Sequence, residues 1–262
     1  MSEVTSRGIW ARRLSWLALL LSLGGVTAAL VAALGSGAGA WGFGAGLGAL
    51  RYALYAAVAG GVLAIVAWIA GRRSGARTGR SNAIALVAAL LFTVYLGNQV
   101  MTARSVPAIH DASTNLDDLP QFAKLTVRPD NLENIPDQDR PELKAMDPES
   151  RWKALHRQAY ADLRPLRIAA PPADVVRRAE QVARDRGWEI ANVDPRAGIV
   201  EATETTLFFR FKDDVVVRVR PDPARGGGSI VDVRSISRVG GSDVGVNAKR
   251  IRGFLEDLAT AA

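Results

Sequence analysis

The hydrophobic and polar positions of this chain follow two different patterns, and the change comes near residue 102. From Leu14 to Leu50 no side chain is charged. As a helix, the 21 residues of Leu14–Leu34 rise about 31 Å, the thickness of a bilayer's hydrocarbon core. Two more uncharged runs, Tyr52–Ala70 and Asn82–Val100, predict a second and a third span. Each must be helical, because lipid offers no partner to an open strand edge. Between the first two lies Gly35–Gly48, with seven glycines, Trp41 and Phe43, which reads as a flexible loop near the interface. The small residues Gly24, Gly25, Ala28, Ala29, Ala32 and Ala33 either mark a helix contact face or reflect composition alone.

Beyond residue 102 the periods shorten. Ala103–Glu133, with Pro107, Pro120 and Pro129, reads as extended chain that lies against a domain or tethers it. Asp147-Pro148 offers an N-cap and a first-turn proline, ahead of a stripe of Trp152, Leu155, His156, Ala159 and Tyr160. Leu166–Ala169 is a short strand. Pro171-Pro172 opens a helix with Val175, Val176, Ala179, Val182 and Ala183 on one face and Gly187 as its stop. Strands are expected over Trp188–Val193 and Ile199–Thr206. Val215, Val217 and Val219 alternate with Val216, Arg218 and Arg220, predicting one buried and one partly wet face. A turn over Pro221–Gly228 sends Ser229–Ser237 back antiparallel. Val244, Ala248, Ile251, Leu255 and Leu258 then space as a C-terminal amphipathic helix. The expected architecture is a multi-pass α-helical membrane region over 1–102, with spans at 14–34, 52–70 and 82–100. A lead-in over 103–147 and a soluble α+β domain over 148–262 follow, the domain a largely antiparallel sheet covered by helices.

Charge adds an orientation. Up to Thr102 there are eight arginines (7, 12, 13, 51, 72, 73, 77 and 80) and one acid, Glu3. The remaining 25 basic residues meet 25 acidic ones. The net charge of +7 is therefore a topology signal, and no nucleic-acid partner is expected of a formally neutral domain. Arginines before the first span and between the second and third predict a cytoplasmic N-terminus and a C-terminal domain outside the cytoplasm, in a bacterial inner membrane. No span carries an acid, a lysine or a histidine that could serve an ion pathway. Cysteine is absent, so there are no disulfides or thiolate metal sites.

The run Phe209–Val219, followed by Asp232-Val233-Arg234-Ser235 and the long motif Ser237–Ile251, resembles the bacterial family known as domain of unknown function 1499. Tyr160–Arg167 and Gly187-Trp188-Glu189 are similar to it as well, so that the resemblance covers roughly His110 to Leu258. It implies no activity, cofactor or catalytic set, although some members also place the domain behind membrane spans.

Candidate sites therefore rest on chemistry. The loop before the last helix gathers Arg234, Arg238, Gly240, Gly241, Ser242, Asp243 and Asn247. Glycines let backbone N–H groups converge, and a helix N-terminus favours an anion. The plain alternative is a helix cap at Ser242 or Asp243, a tight turn at the glycines, and Arg238 paired to a local acid. The lysine-Ser/Thr ending of a phosphate loop is missing. Glu201 and Glu204 are three apart and point to opposite faces of a strand, and Asp213-Asp214 reads as a strand start. His110 and His156 belong to no ligand-spaced cluster; His156 reads as a packed, hydrogen-bonded residue. No metal and no cofactor are expected, and catalytic residues are unknown. The leading expectation is an envelope protein, anchored in the lipid bilayer, that binds a protein, a lipid headgroup or another anionic ligand. The competing one is an envelope enzyme whose pocket gathers Arg238, Asp243 and Asp232 or Glu204. Exposed rings among Phe208, Phe209 and Phe211 would suggest lipid or partner contact in place of core packing.

Overall fold

The computed structural model describes residues 2–224 and 226–260, with side chains from residue 6 onward. Two compact units result. One takes in Met1–Met101 with Leu207–Arg210, the other Thr102–Thr206 with Phe211–Ala262.

The first unit contains α1 (Ser2–Gly37), α2 (Phe43–Ser74) and α3 (Gly79–Ser105), each long and apolar enough to cross a membrane. Helix extends well into the glycine-rich stretch expected as a loop, leaving only residues 38–42 outside it. Trp41 closes that turn by donating its indole N–H to the Ala32 carbonyl at 2.9 Å. The buried positions of α1 are small, and all but Ala33 fall every three or four residues: Ala11, Ser15, Ala18, Ser22, Gly25, Ala29 and Ala32. On α2 a matching set is buried, Ala53, Ala57, Gly60, Ala64, Ala67 and Gly71, besides Gly46 and Gly61. Such seams let two backbones approach closely, where packing rather than hydrophobicity must hold helices together. A Cβ on Gly25 would stand 2.5 Å from the Ala53 carbonyl oxygen, and one on Gly60 would stand 2.6 Å from the Ser22 nitrogen. The contact face is real, although Gly24 and Ala28 point away from it.

The second unit is built on a six-stranded antiparallel sheet: β1 (Asp111–Ser113), β2 (Leu166–Ile168), β3 (Glu189–Asp194), β4 (Ile199–Thr205), β5 (Lys212–Pro221) and β6 (Ser229–Ser237). The order is β1-β6-β5-β4-β3, and β2 pairs with β6 beside β1. The turn between β5 and β6 is closed by the Asp222 N–H on the Gly228 carbonyl; its Arg225 lies outside the described residues. A short α4 (Pro141–Lys144) precedes α5 (Pro148–Ala159), which Asp147 caps by accepting from the Ser150 N–H. α6 (Pro172–Asp185) and α7 (Val246–Thr260) cover one sheet face. Val200, Ala202, Val215, Val217, Val219, Val231 and Val233 meet Val175, Val176, Ala179, Ile251, Phe254 and Leu258 there.

Val244 was expected on the seam of α7 but stands before it, with φ +55°; Leu255, also expected there, is only partly buried, and Phe254 holds its place.

The other face was expected to be partly wet, and it is so at one end, where Arg218 and Arg220 stay partly exposed. The rest is covered: Glu201, Thr203, Asp214, Val216, Asp232 and Arg234 are buried. The cover is the chain between residues 114 and 131, which lies on the sheet rather than acting as a tether. Ala123, Lys124 and Leu125 donate three consecutive backbone N–H groups to the Glu201 carboxylate at 2.7–3.1 Å. Asn192 adds its amide at 3.3 Å. A carboxylate with no cation beside it is thus satisfied by a nest of amides.

Candidate functional site

The seven residues singled out in sequence fall on two sides of the sheet. Arg234 lies on the face covered by residues 114–131 and is bidentate to Asp111 (3.1 and 2.8 Å), with Asn131 completing the Asp111 carboxylate at 2.6 Å. Asn247 belongs to the helix side. It donates to the His110 carbonyl (2.9 Å) and the Ser237 hydroxyl (3.0 Å) and accepts from Ser235 (2.6 Å). No single pocket holds both.

Between them runs the loop from Arg238 to Gly245. Arg238 is bidentate to Asp214, at 2.8 Å twice, and reaches the Thr203 hydroxyl at 3.2 Å. That pairing raises the guanidinium above its usual range, with burial acting against it. The Gly240 carbonyl accepts from Arg128 at 2.7 Å, and Gly240 takes φ +89°, which glycine adopts without strain. Gly241 and Ser242 are exposed. Asp243 accepts from the Gly245 and Asn247 N–H groups, both at 2.8 Å, and so supplies the acceptor for α7's first turn. Burial pushes its carboxyl above the ordinary range, against those two bonds. Tyr160, whose buried hydroxyl lacks a partner among the described residues, is pushed up to about 12 by burial and then by Asp243's charge.

The acids named with these residues do not join them. Asp232 is fully buried and accepts from Arg218 (2.9 Å), Arg220 (2.7 Å) and Asn115 (3.4 Å). Glu204 accepts from Arg250 on the helix side. The same Arg250 donates to Asp213 at 2.5 Å and to Ser235 at 3.0 Å. The convergence of Arg238, Asp243 and Asp232 or Glu204 required for an enzyme pocket is absent. The alternation rule explains why: residues 204 and 213 share the α7 face, while 214 and 232 share the opposite one.

Sequence reasoning missed Arg250 and Arg128. Arg250 stands on α7 one turn after Asn247, and that spacing to a buried amide was the available signal. Arg128 carried none, because nothing local places it beside Gly240.

Among the described residues no acid or histidine cluster has metal-holding geometry. A cleft of about 200 Å³ beside the loop is lined by Phe122, Val127, Arg128, Asp214, Ile236 and Arg238. Both of its arginines are already paired, Arg128 to Asp130 at 2.5 Å.

A family model described as protein of unknown function (DUF1499) matches residues 111–258. The chain belongs to the DUF1499 family. The match starts at β1 and ends in the last turns of α7, so it takes in the whole sheet, its 114–131 cover and both packing helices. The DUF1499 domain here follows three helices with the length and apolarity of membrane spans. No curated protein matches the chain. Of the charged residues that carried the resemblance, Asp213, Asp214, Arg218, Asp232, Arg234, Arg238, Asp243 and Arg250 make bonds inside the DUF1499 fold.

Proposed function

We propose that this protein is a membrane-tethered, non-catalytic binding protein whose domain engages a protein partner through the exposed crest of the Arg238–Val246 loop. One observation carries the reading: the arginine and acids that would have formed a site at that loop are held by intradomain bonds. Arg238 is held by Asp214, Asp232 by Arg218 and Arg220, and Asp243 by amides of the α7 start. Acid–base or nucleophilic work needs a group with spare bonding capacity beside a substrate cavity. An anionic ligand needs a guanidinium that is not already spent on a carboxylate. The crest presents instead Val239 and Val246, 40% and 42% exposed, with Gly241 and Ser242 between them. This weakly polar surface suits burial against another protein better than capture of an anion. In the same reading the chain is a bacterial inner-membrane protein. Arginines 7, 12, 13, 72, 73, 77 and 80 stay cytoplasmic and the domain lies outside the cytoplasm.

The test is a photoreactive residue at Val239 in the full chain, activated in the native membrane, with Arg177 on exposed α6 as control. A discrete protein adduct from position 239 alone is expected. The same adducts from both positions, or only lipid adducts from 239, would sink the reading.

A further inference from the structure

We propose that one end of the helical unit seats the phosphodiester headgroups of anionic phospholipids. This goes beyond the domain's protein surface and does not depend on it. The end is assembled by the antiparallel register of α1 and α2. Gly25 meets Ala53 and Ala57, and Gly60 meets Ser22 and Ala18. Continued outward, that register brings Arg12 and Arg13 level with about Trp68, one turn short of the last turn of α2, which carries Arg72 and Arg73. The short connection to α3 adds Arg77, and the first turn of α3 adds Arg80. Gly71 and Thr78 lie close enough that a Cβ on Gly71 would be 2.2 Å from the Thr78 hydroxyl, so this connection folds back on the helix end.

All six guanidinium groups are exposed. Among the described residues none of them pairs with a carboxylate, whereas thirteen arginines of the other unit do. The first turn of α3 has no acidic residue, so its N–H groups add positive potential at the same end. Two of the arginines lie over indole rings, Arg13 over Trp10 at 5.4 Å and Arg72 over Trp68 at 5.9 Å. Trp10 is 59% exposed. Tryptophan settles at headgroup depth, which sets these arginines at the level of lipid phosphates. A planar guanidinium fork matches a phosphate's oxygens, and a cluster of four to eight such cations beside a span suffices to select anionic lipid.

The experiment uses the full chain in nanodiscs of mixed phosphatidylcholine and phosphatidylglycerol, where insertion direction has no effect. Native mass spectrometry counts the lipids retained. Phosphatidylglycerol should be retained above its share of the bilayer. Each arginine removed should cost roughly five-fold in that preference, so the Arg72→Gln/Arg73→Gln/Arg77→Gln variant should lose about a hundred-fold. The corresponding Arg→Lys variant should keep most of the preference, and Arg51→Gln, near the other end of α2, should keep all of it. A wild type without preference, a helical glutamine variant that still selects phosphatidylglycerol, or equal loss from Arg51→Gln would each overturn the proposal. Should the glutamine variant fail to fold, salt decides: a wild-type preference unmoved by high salt also overturns it. A short oligonucleotide that displaces the lipid would reassign the end to nucleic acid.

Discussion

His156 sits at the centre of the domain as a neutral ring. Its Nε2 accepts from the Ser113 N–H at 3.1 Å, and its ring meets Trp152 and Tyr160 edge-on at 5.8 and 5.3 Å. Burial lowers its pKa from 6.5 to about 4, with the charge of Asp111 opposing. The unfolded chain therefore takes up the proton first as pH falls. Stability is fully present above 6.5, is lost between 6.5 and about 4, and is flat with respect to this group below that. The full loss is on the order of 3 kcal/mol. Asp243 works in the opposite sense, since its raised pKa makes the folded state the better proton binder, so the difference between two proteins isolates the histidine. Thermal midpoints of wild type and His156→Gln, measured from pH 7 to pH 4, should converge as the pH falls. Parallel curves would show that His156 is not kept neutral by the fold.

Two adjacent glycines of α1 show how much an element's packing decides. A Cβ at Gly25 collides with the Ala53 carbonyl and the Ala57 backbone, while one at Gly24 meets nothing within 4 Å. Gly25→Leu should force α1 from α2 and cost about 1–3 kcal/mol or more, read as a lower thermal midpoint in detergent. Gly24→Leu should leave the midpoint nearly unchanged, and equal effects would mean that the seam is not the helix contact. The small-residue content of α1 was legible in sequence, but not which glycine faces α2, because the partner's register is a tertiary fact. The same limit applies in the domain. Strands β2 to β6, the α6 stripe, most of the α7 stripe and the Asp147 cap follow from the local sequence, whereas β1 does not. The 114–131 cover could not be read that way, because Glu201 is satisfied by backbone amides about 80 residues earlier, and amides leave no side-chain pattern. Among the site candidates, Asp243 was readable as a cap. Arg234 was not readable as the partner of Asp111, which lies 123 positions away.

At the scale of the whole molecule, the division of charge and the division of structure coincide. The helical part carries the excess of arginine, and the domain, with as many acids as bases, spends most of its charges on itself. Charge close to the spans is what orients such a chain, while a long domain crosses largely regardless of its own charge, so the domain's charges are free to serve its fold. The absence of cysteine makes the proposed orientation directly measurable, since a single introduced thiol is the only one present. Ala40→Cys lies in the turn after α1, Ala76→Cys in the connection between α2 and α3, and Ser242→Cys on the exposed loop before α7. In intact cells with a permeable outer layer, a membrane-impermeant maleimide should label positions 40 and 242, and position 76 only after lysis. Labelling of 76 with protection of 40 and 242 would invert the topology and place the domain in the cytoplasm. Because both loops are short, the arginines would then lie on the wrong side of the membrane, and their clustering would need the lipid seat as its whole explanation.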